Sequence, residues 1–303
     1  MNHFCTITTY DHLYKVLALS DSIKATQSDF ALHILCIDKI NTPKSYPHCS
    51  FYEIGDLSGI PVCAQIVSKY KSEADKLRWS LKSVFLSFLL NEKADKVIYV
   101  DNDIYFFGDA SFLFEQLDEH SFLLTPHHYP RDPKKDQNWL EANYKVGLYN
   151  AGFVAVNANA KEPLNWWAEC CAYRCEKNPL RGTFDDQKYL DLIPILAEDT
   201  LVLKHKGCNV AEWNRKIIKR SQKQDGSVWL DKIYPLIFIH FNHSTIRAID
   251  QGQEPYLIQS LNTYMASLKI YKEDVQLKML IKTESTVEKI KYYIWRKATD
   301  FNL

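Results

Sequence analysis

A mostly parallel α/β sheet with helices on both faces is predicted by three features of the 303-residue sequence. Strand-like runs alternate with helix-like stretches through the first half of the chain, the pattern of parallel strands joined by crossovers. Val97, Ile98, Tyr99 and Val100 form an apolar run without alternation, as befits a strand buried on both faces. The length suffices for one sizeable α/β domain with an appendage.

The elements follow in order. FCTITT (4–9) and FALHILCID (30–38) read as strands around a helix over 13–24, whose stripe carries Leu13, Val16 and Leu17 and continues to Ser20. Pro43, Pro47, Gly55, Gly59 and Pro61 mark a loop-like segment containing one short strand at 51–54. Asp75 is the expected N-cap of a helix reaching about Leu90, with Leu77, Leu81, Val84, Phe85, Phe88 and Leu89 on its apolar face. That helix feeds the strand KVIYV. A polar loop at 127–139, read as a candidate lid, the strand AGFVAVN and an amphipathic helix through EPLNWWAECCAYRC come next.

Composition excludes some classes. Lys and Arg number 37, as do Asp and Glu, so no global field draws the chain to nucleic acid. The eight cysteines (Cys5, Cys36, Cys49, Cys63, Cys170, Cys171, Cys175, Cys208) show no CxxC spacing, which argues against a zinc ribbon or redox pair and fits a reducing cytosol. The segment MNHFCTITTYDHLYKV lacks the pattern of a secretory signal, and no run reaches transmembrane length. A cytoplasmic location is expected.

Residues 96–109, KVIYVDNDIYFFGD, set Asp101 and Asp103 just past the buried strand. Carboxylates at i and i+2 can hold Mg²⁺ or Mn²⁺, while Asp-Asn-Asp is equally ordinary turn chemistry. In parallel α/β sheets ligands bind outside the carboxyl ends of the strands, and that position favours a site. GTFDDQKYLDLIP offers Thr183 as an N-cap, a helix opening with Asp185, Asp186 and Gln187, and Pro194 as a stop. Acids in a first turn are also plain helix-dipole partners. GCNVAEWNRK places Asn209, Trp213 and Asn214 in a loop, and PLIFIHFNHS ends an apolar strand with His240, either a structural histidine or a metal ligand.

These pieces, in this order, resemble the family-eight-like, sugar-nucleotide-dependent glycosyltransferases of GT-A fold. KVIYVDNDIYFFGD is similar to their D-x-D segment, and YNAGFVAVN, FDDQKYLDLIP and PLIFIHFNH follow in the expected sequence. A bacterial subgroup also has a lysine before the D-x-D strand, here Lys82, a double tryptophan, here Trp166 and Trp167, and N-V-A-x-W-N, here Asn209 to Asn214. The resemblance covers about residues 4–242. It implies a catalytic domain over 1–244, with a nucleotide-binding half to about 110 and a sugar and acceptor half over 111–244; residues 245–303, outside the resemblance, are read as a helical extension.

What the resemblance implies for the site is specific. Asp101, Asp103 and His240 would hold Mn²⁺ or Mg²⁺ against the donor diphosphate, with Lys82 as a further positive charge. Thr8 and Thr9 would line the nucleobase pocket, with Tyr10, or Tyr14 in its place, stacking on the base. Asn102 lies beside the donor, and Asn150, Asp186 and Gln187 match positions facing the transferred sugar or the acceptor. The implied reaction moves a sugar from a nucleotide-sugar donor, a UDP-sugar by expectation, to a glycan or lipid-linked acceptor of bacterial surface polysaccharide, with retention. Two departures stand out: Asn102 replaces the subgroup's usual proline, and FNHS replaces F-S-G.

Two alternatives belong to other classes. A HAD-type phosphatase requires D-x-D-x-T or V, whereas Asp103 is followed by Ile104 and Tyr105. A catalytically silent sugar-nucleotide-binding protein would keep the fold without turnover. Residues 275–298 interleave Leu277, Leu280, Ile281, Val287, Ile290, Ile294 and Trp295 with Lys and Arg, which suits either a peripheral helix at an anionic membrane or one packed on the domain.

Overall fold

The computed structural model describes residues 1–38, 45–134 and 136–281. Of the residues that announced a loop, Pro43 therefore lies outside the described residues, and so does the part of the expected helical tail from residue 282 onward. Eight strands open the description: β1 Asn2–Thr8, β2 Phe30–Cys36, β3 Cys49–Glu53, β4 Lys96–Val100, β5 Ile104–Phe106, β6 Phe122–Pro126, β7 Tyr149–Asn157 and β8 Leu201–Val202. All but β5 form one sheet in the order β3-β2-β1-β4-β7-β6-β8. Only β7 runs against the others, antiparallel to both β4 and β6. The expected mostly parallel mixed sheet is present. Its one reversed strand brings the amino end of β7 beside the carboxyl end of β4.

Helices cover both faces. One is packed by α1 Leu13–Thr26 and, further along, α5 Ser111–Gln116; the other by α2 Pro61–Tyr70, α3 Ala74–Ser80 and α4 Lys82–Glu92. Along β4, Val97 and Tyr99 enter the α2–α4 core while Ile98 and Val100 enter the α1 core. Alternate residues thus meet apolar layers on opposite sides, which is why the sequence reads as an unbroken apolar run.

Several expectations are corrected. The helix predicted from Asp75 is two helices, broken at Leu81 with ψ −3°, and Asp75 does not cap but pairs with Arg78 at 2.9 Å. Leu77, Leu81 and Phe85 stay on one buried stripe through the break, so periodicity could not reveal it. Pro61, read as part of a loop, starts α2, where its fixed φ and missing N–H cost nothing. The predicted loop at 127–139 ends in a helix, α6 Gln137–Lys145, capped by Asp136. Thr183 caps nothing: it bridges to Asn178, and Asp185 takes φ +48°, so the chain turns before a 3₁₀ helix at Gln187–Leu192. Pro194, the expected stop, is the second residue of α8 Ile193–Leu196, after α7 Lys161–Tyr173.

The last part of the chain builds a smaller lobe. Strands β9 Arg220–Gln222, β10 Val228–Leu230 and β11 Tyr234–Pro235 form an antiparallel sheet, and β12 Phe238–His240 pairs with β5. Helices α9 His243–Asp250, α10 Ile258–Tyr271 and α11 Leu277–Leu280 close over them, with Tyr264 stacked on Phe241 at 4.5 Å and α10 lying against α1. Among the described residues no helix is long and apolar enough to cross a membrane.

Candidate active site

β4 ends at Val100, and Asp101 N–H donates to the Gly152 carbonyl at 2.9 Å, tying the turn to β7. Asn102 is buried and donates to Thr8 Oγ1 at 3.1 Å, pinning the same turn to the end of β1. A proline here would lack that side-chain bond. After Asp103 the chain enters β5, whose Ile104 faces His240 of β12, and Phe241 N–H donates to the Asp103 carbonyl at 2.8 Å. Strand register therefore fixes His240 against the aspartates, and a one-residue slip would turn its ring to the other face.

His240 Nε2 lies 3.1 Å from Asp103 Oδ1 and 3.9 Å from Asp101 Oδ2. One ligand atom from each of Asp101, Asp103 and His240 falls within 4.8 Å of the others, so the three could hold a metal ion. Nδ1 of the ring sits 3.3 Å from Asn209 Oδ1, which can only accept, so Nδ1 carries a proton and Nε2 is the nitrogen directed at the carboxylates. Burial pulls the His240 pKa down, but Asp103 and Asp101 outweigh it and the net shift is upward. Burial likewise pushes Asp103 up, and His240 more than reverses it. The pocket stabilises positive charge between two carboxylates. Two oxygens and an imidazole nitrogen suit Mn²⁺ or Mg²⁺, so the residues fit a divalent cation.

Gly152 makes room for this cluster. A Cβ there would lie 2.4 Å from His240 Cε1, 2.7 Å from Asn150 Oδ1 and 2.9 Å from Asp101 Oδ2.

Behind the aspartates stands Lys82, only 2% exposed, the first residue of α4. Its ammonium donates to the Ala151 carbonyl at 2.9 Å and lies 3.3 Å from Asp101 Oδ1 and 3.2 Å from Asp186 Oδ2. Burial disfavours its charge, yet the two carboxylates prevail and its pKa is raised. Asp186 is pushed up to about 6, chiefly by burial, with Lys82 pulling the other way. Trp167 Nε1 holds the Asp186 carbonyl at 2.9 Å. Gln187 Oε1 accepts from Asn150 Nδ2 and Ala151 N–H, both at 3.2 Å, and its Nε2 donates to the Val146 carbonyl at 3.2 Å. The expected residues Lys82, Asp101, Asp103, Asn150, Asp186, Gln187 and His240 are thus brought to one place.

Thr8, Thr9 and Tyr10 stand at the end of β1 on the flank marked by Asn102. Thr8 is buried, while Tyr10 is 41% exposed with its N–H donating to Asp38 Oδ1 at 2.8 Å. Tyr14 is less available, since the Lys272 ammonium lies over its ring, 5.1 Å from the ring centre. Residues without a role in the sequence reading also join the site. Tyr99 donates to Asp101 Oδ1 at 2.8 Å, and Trp213 meets the His240 ring edge-on at 5.3 Å. For Tyr99 the signal was available, because residues two apart on a strand share a face.

The fold and site define an α/β protein with a cation-ready cluster at a strand's carboxyl end. No family model matches the chain. It is 30% identical over 259 residues to the uncharacterized protein YfnF of Bacillus subtilis (strain 168), covering 82% of this chain and 83% of that protein. It is 28% identical over 255 residues to the uncharacterized protein YfnD of the same organism, covering 80% and 78%. The chain belongs to the family of YfnF. Among solved structures it is similar to galactosyltransferase LgtC in complex with donor and acceptor sugar analogs, at TM-score 0.48 and 13% identity over 78% of this chain and 86% of that one. It is also similar to mouse xyloside xylosyltransferase 1, at TM-score 0.46 and 16% identity over 71% and 90%.

Proposed function

We propose that the chain is a metal-dependent glycosyltransferase that moves a sugar, with retention, from a nucleotide-sugar donor of the UDP-sugar class to a glycan or lipid-linked acceptor in bacterial surface polysaccharide synthesis. The observation that carries this reading is the meeting of Asp101, Asp103 and His240 with Lys82 directly behind them. A bound divalent cation would supply Lewis-acid neutralisation of diphosphate charge. Tyr10, exposed at the end of β1, offers a face to the nucleobase, with Thr8 and Thr9 beside it. Lys82, buried behind the aspartates and held between Asp101 and Asp186, adds a fixed positive charge to the site.

Asn150, Asp186 and Gln187 would face the sugar. Asp186 Oδ2 is buried and faces the Lys82 ammonium at 3.2 Å, so the residue would act on the sugar side by holding Lys82 and its neighbours in place. Inversion needs a carboxylate base opposite the leaving group, and the Asp186 carboxylate is already ion-paired with Lys82. That pairing favours retention. The protein would act in the cytoplasm, and the basic, apolar pattern of residues 275–298, mostly outside the described residues, would suit a peripheral membrane contact.

The test is a panel of sugar nucleotides with Mn²⁺, followed by thermal shift, released nucleotide and NMR of the product anomer. One donor should both stabilise and turn over, and an α-linked donor should give an α-linked product. Stabilisation by a donor that never turns over with any acceptor or water would reduce the chain to a binding protein. An inverted anomer would overturn retention.

A further inference from the structure

Away from the metal cluster lies a second buried ion pair. Arg220 Nη2 and Glu254 Oε1 are 3.1 Å apart, and both side chains are 3% exposed. Burying two charges is costly, and apolar residues of similar volume commonly replace such a pair without loss of stability. The other contacts of the guanidinium show what the pair holds. Nη2 donates to the Ala211 carbonyl at 2.8 Å and to Asn214 Oδ1 at 2.7 Å, and Nη1 to the Asn214 carbonyl at 3.4 Å and the Ile218 carbonyl.

Those acceptors belong to the loop that reaches the metal cluster. Asn214 Nδ2 donates to the Asn209 carbonyl at 3.0 Å, and Asn209 is held at φ +57°. From there Asn209 Oδ1 meets His240 Nδ1, while its Nδ2 donates to Thr125 Oγ1 at 2.8 Å and Asn150 Oδ1 at 3.0 Å. The same loop is tied from the far side, where Glu212 N–H donates to Thr245 Oγ1 at 3.0 Å. Thr245 and Glu254 both come after residue 244, in the region where no family resemblance was found.

We propose, on the strength of the metal-site reading above, that Arg220 and Glu254 are a positioning pair that presets the His240 imidazole through Asn214 and Asn209, so that the C-terminal helical region helps build the cation site. Neither residue touches the cluster; each acts through the loop. Arginine suits the task because its planar fork serves several carbonyls at once, whereas lysine presents a point charge.

The full chain separates this from a purely structural role. Arg220→Met with Glu254→Leu removes both charges together but leaves the Ala211, Asn214 and Ile218 acceptors unpaired, so it should lower the thermal midpoint while still folding, and weaken Mn²⁺ binding, read by titration with MnCl₂, by about tenfold to a hundredfold. The same variant should move the His240 Cε1–H cross-peak in metal-free protein, and Arg220→Lys should fall between it and wild type. A remote core change, Leu164→Ala, should lower the midpoint and leave both readings unmoved. Mn²⁺ affinity within about twofold of wild type, with an unmoved His240 cross-peak, in the folded double variant would overturn the proposal; if that variant does not fold, Arg220→Lys decides on the same two readings. Should wild type bind no Mn²⁺, the metal-site reading fails on its own, and the cross-peak alone decides the positioning.

Discussion

On one flank of the site Asp103 stands half-buried against His240 Nε2, and on the other Asp186 is buried behind the Lys82 ammonium. Burial pushes both carboxyls up. At Asp103 the imidazole more than reverses the push, so the group stays ionised at neutral pH. At Asp186 the push wins and leaves the carboxyl near 6, even with Lys82 beside it. One side-chain type thus behaves in two ways according to its partner: a carboxylate held ionised beside an imidazole, and a more readily protonated one whose ionised form pairs with a lysine.

The largest effect is expected on the cation flank. Asp103→Asn removes a ligand but keeps the shape, so turnover should fall about a hundredfold or more, as with other lost electrostatic groups. Mn²⁺-dependent stabilisation by sugar nucleotide should vanish with it while far-UV circular dichroism stays native. Normal activity in this variant would dissolve the distinction between the flanks.

Next comes the Lys82 flank. Lys82→Met leaves Asp186 buried without a counter-ion and should cost about 3–5 kcal/mol at neutral pH. The sign of the pH dependence follows from the raised folded-state pKa. Asp186 contributes stability that is fully present below its ordinary value near 3.8 and is lost as pH rises through about 6. Without Lys82 the folded value rises further, so the variant should recover most of its deficit on acidification, read as denaturation midpoints at acid and neutral pH. A deficit independent of pH would assign the loss to packing instead.

The smallest change is the most selective. Gln187→Ala removes three hydrogen bonds to Asn150, Ala151 and Val146 and should lower kcat about tenfold with little change in nucleotide affinity, as for a contact that matters most in the transition state. An equal loss in nucleotide affinity would place Gln187 with donor binding.

Much of this site was legible because it depends on local pattern. The buried run before Asp101 announced a central strand, and strand-end position made the aspartate pair more than a turn. What stayed hidden depends on distant partners or backbone angles. The break at Leu81 preserves the apolar stripe, the left-handed Asp185 moves the start of the following helix past Asp186, and Asp136 caps a helix inside a stretch too polar to read as one. Nothing local in the sequence marks Arg220, since its acceptors lie in a loop and its counter-ion Glu254 is far along the chain.

The pairing of β5 with β12 has a consequence for how the protein is made. Asp101 and Asp103 leave the ribosome early, but the imidazole arrives with residue 240 and is oriented only once β12 zips onto β5. Until then a nascent chain offers a cation two carboxylates on a bare turn. A cation held by all three groups would therefore be captured only after β12 has paired, and its binding free energy would favour the correctly registered fold over misregistered full-length chains.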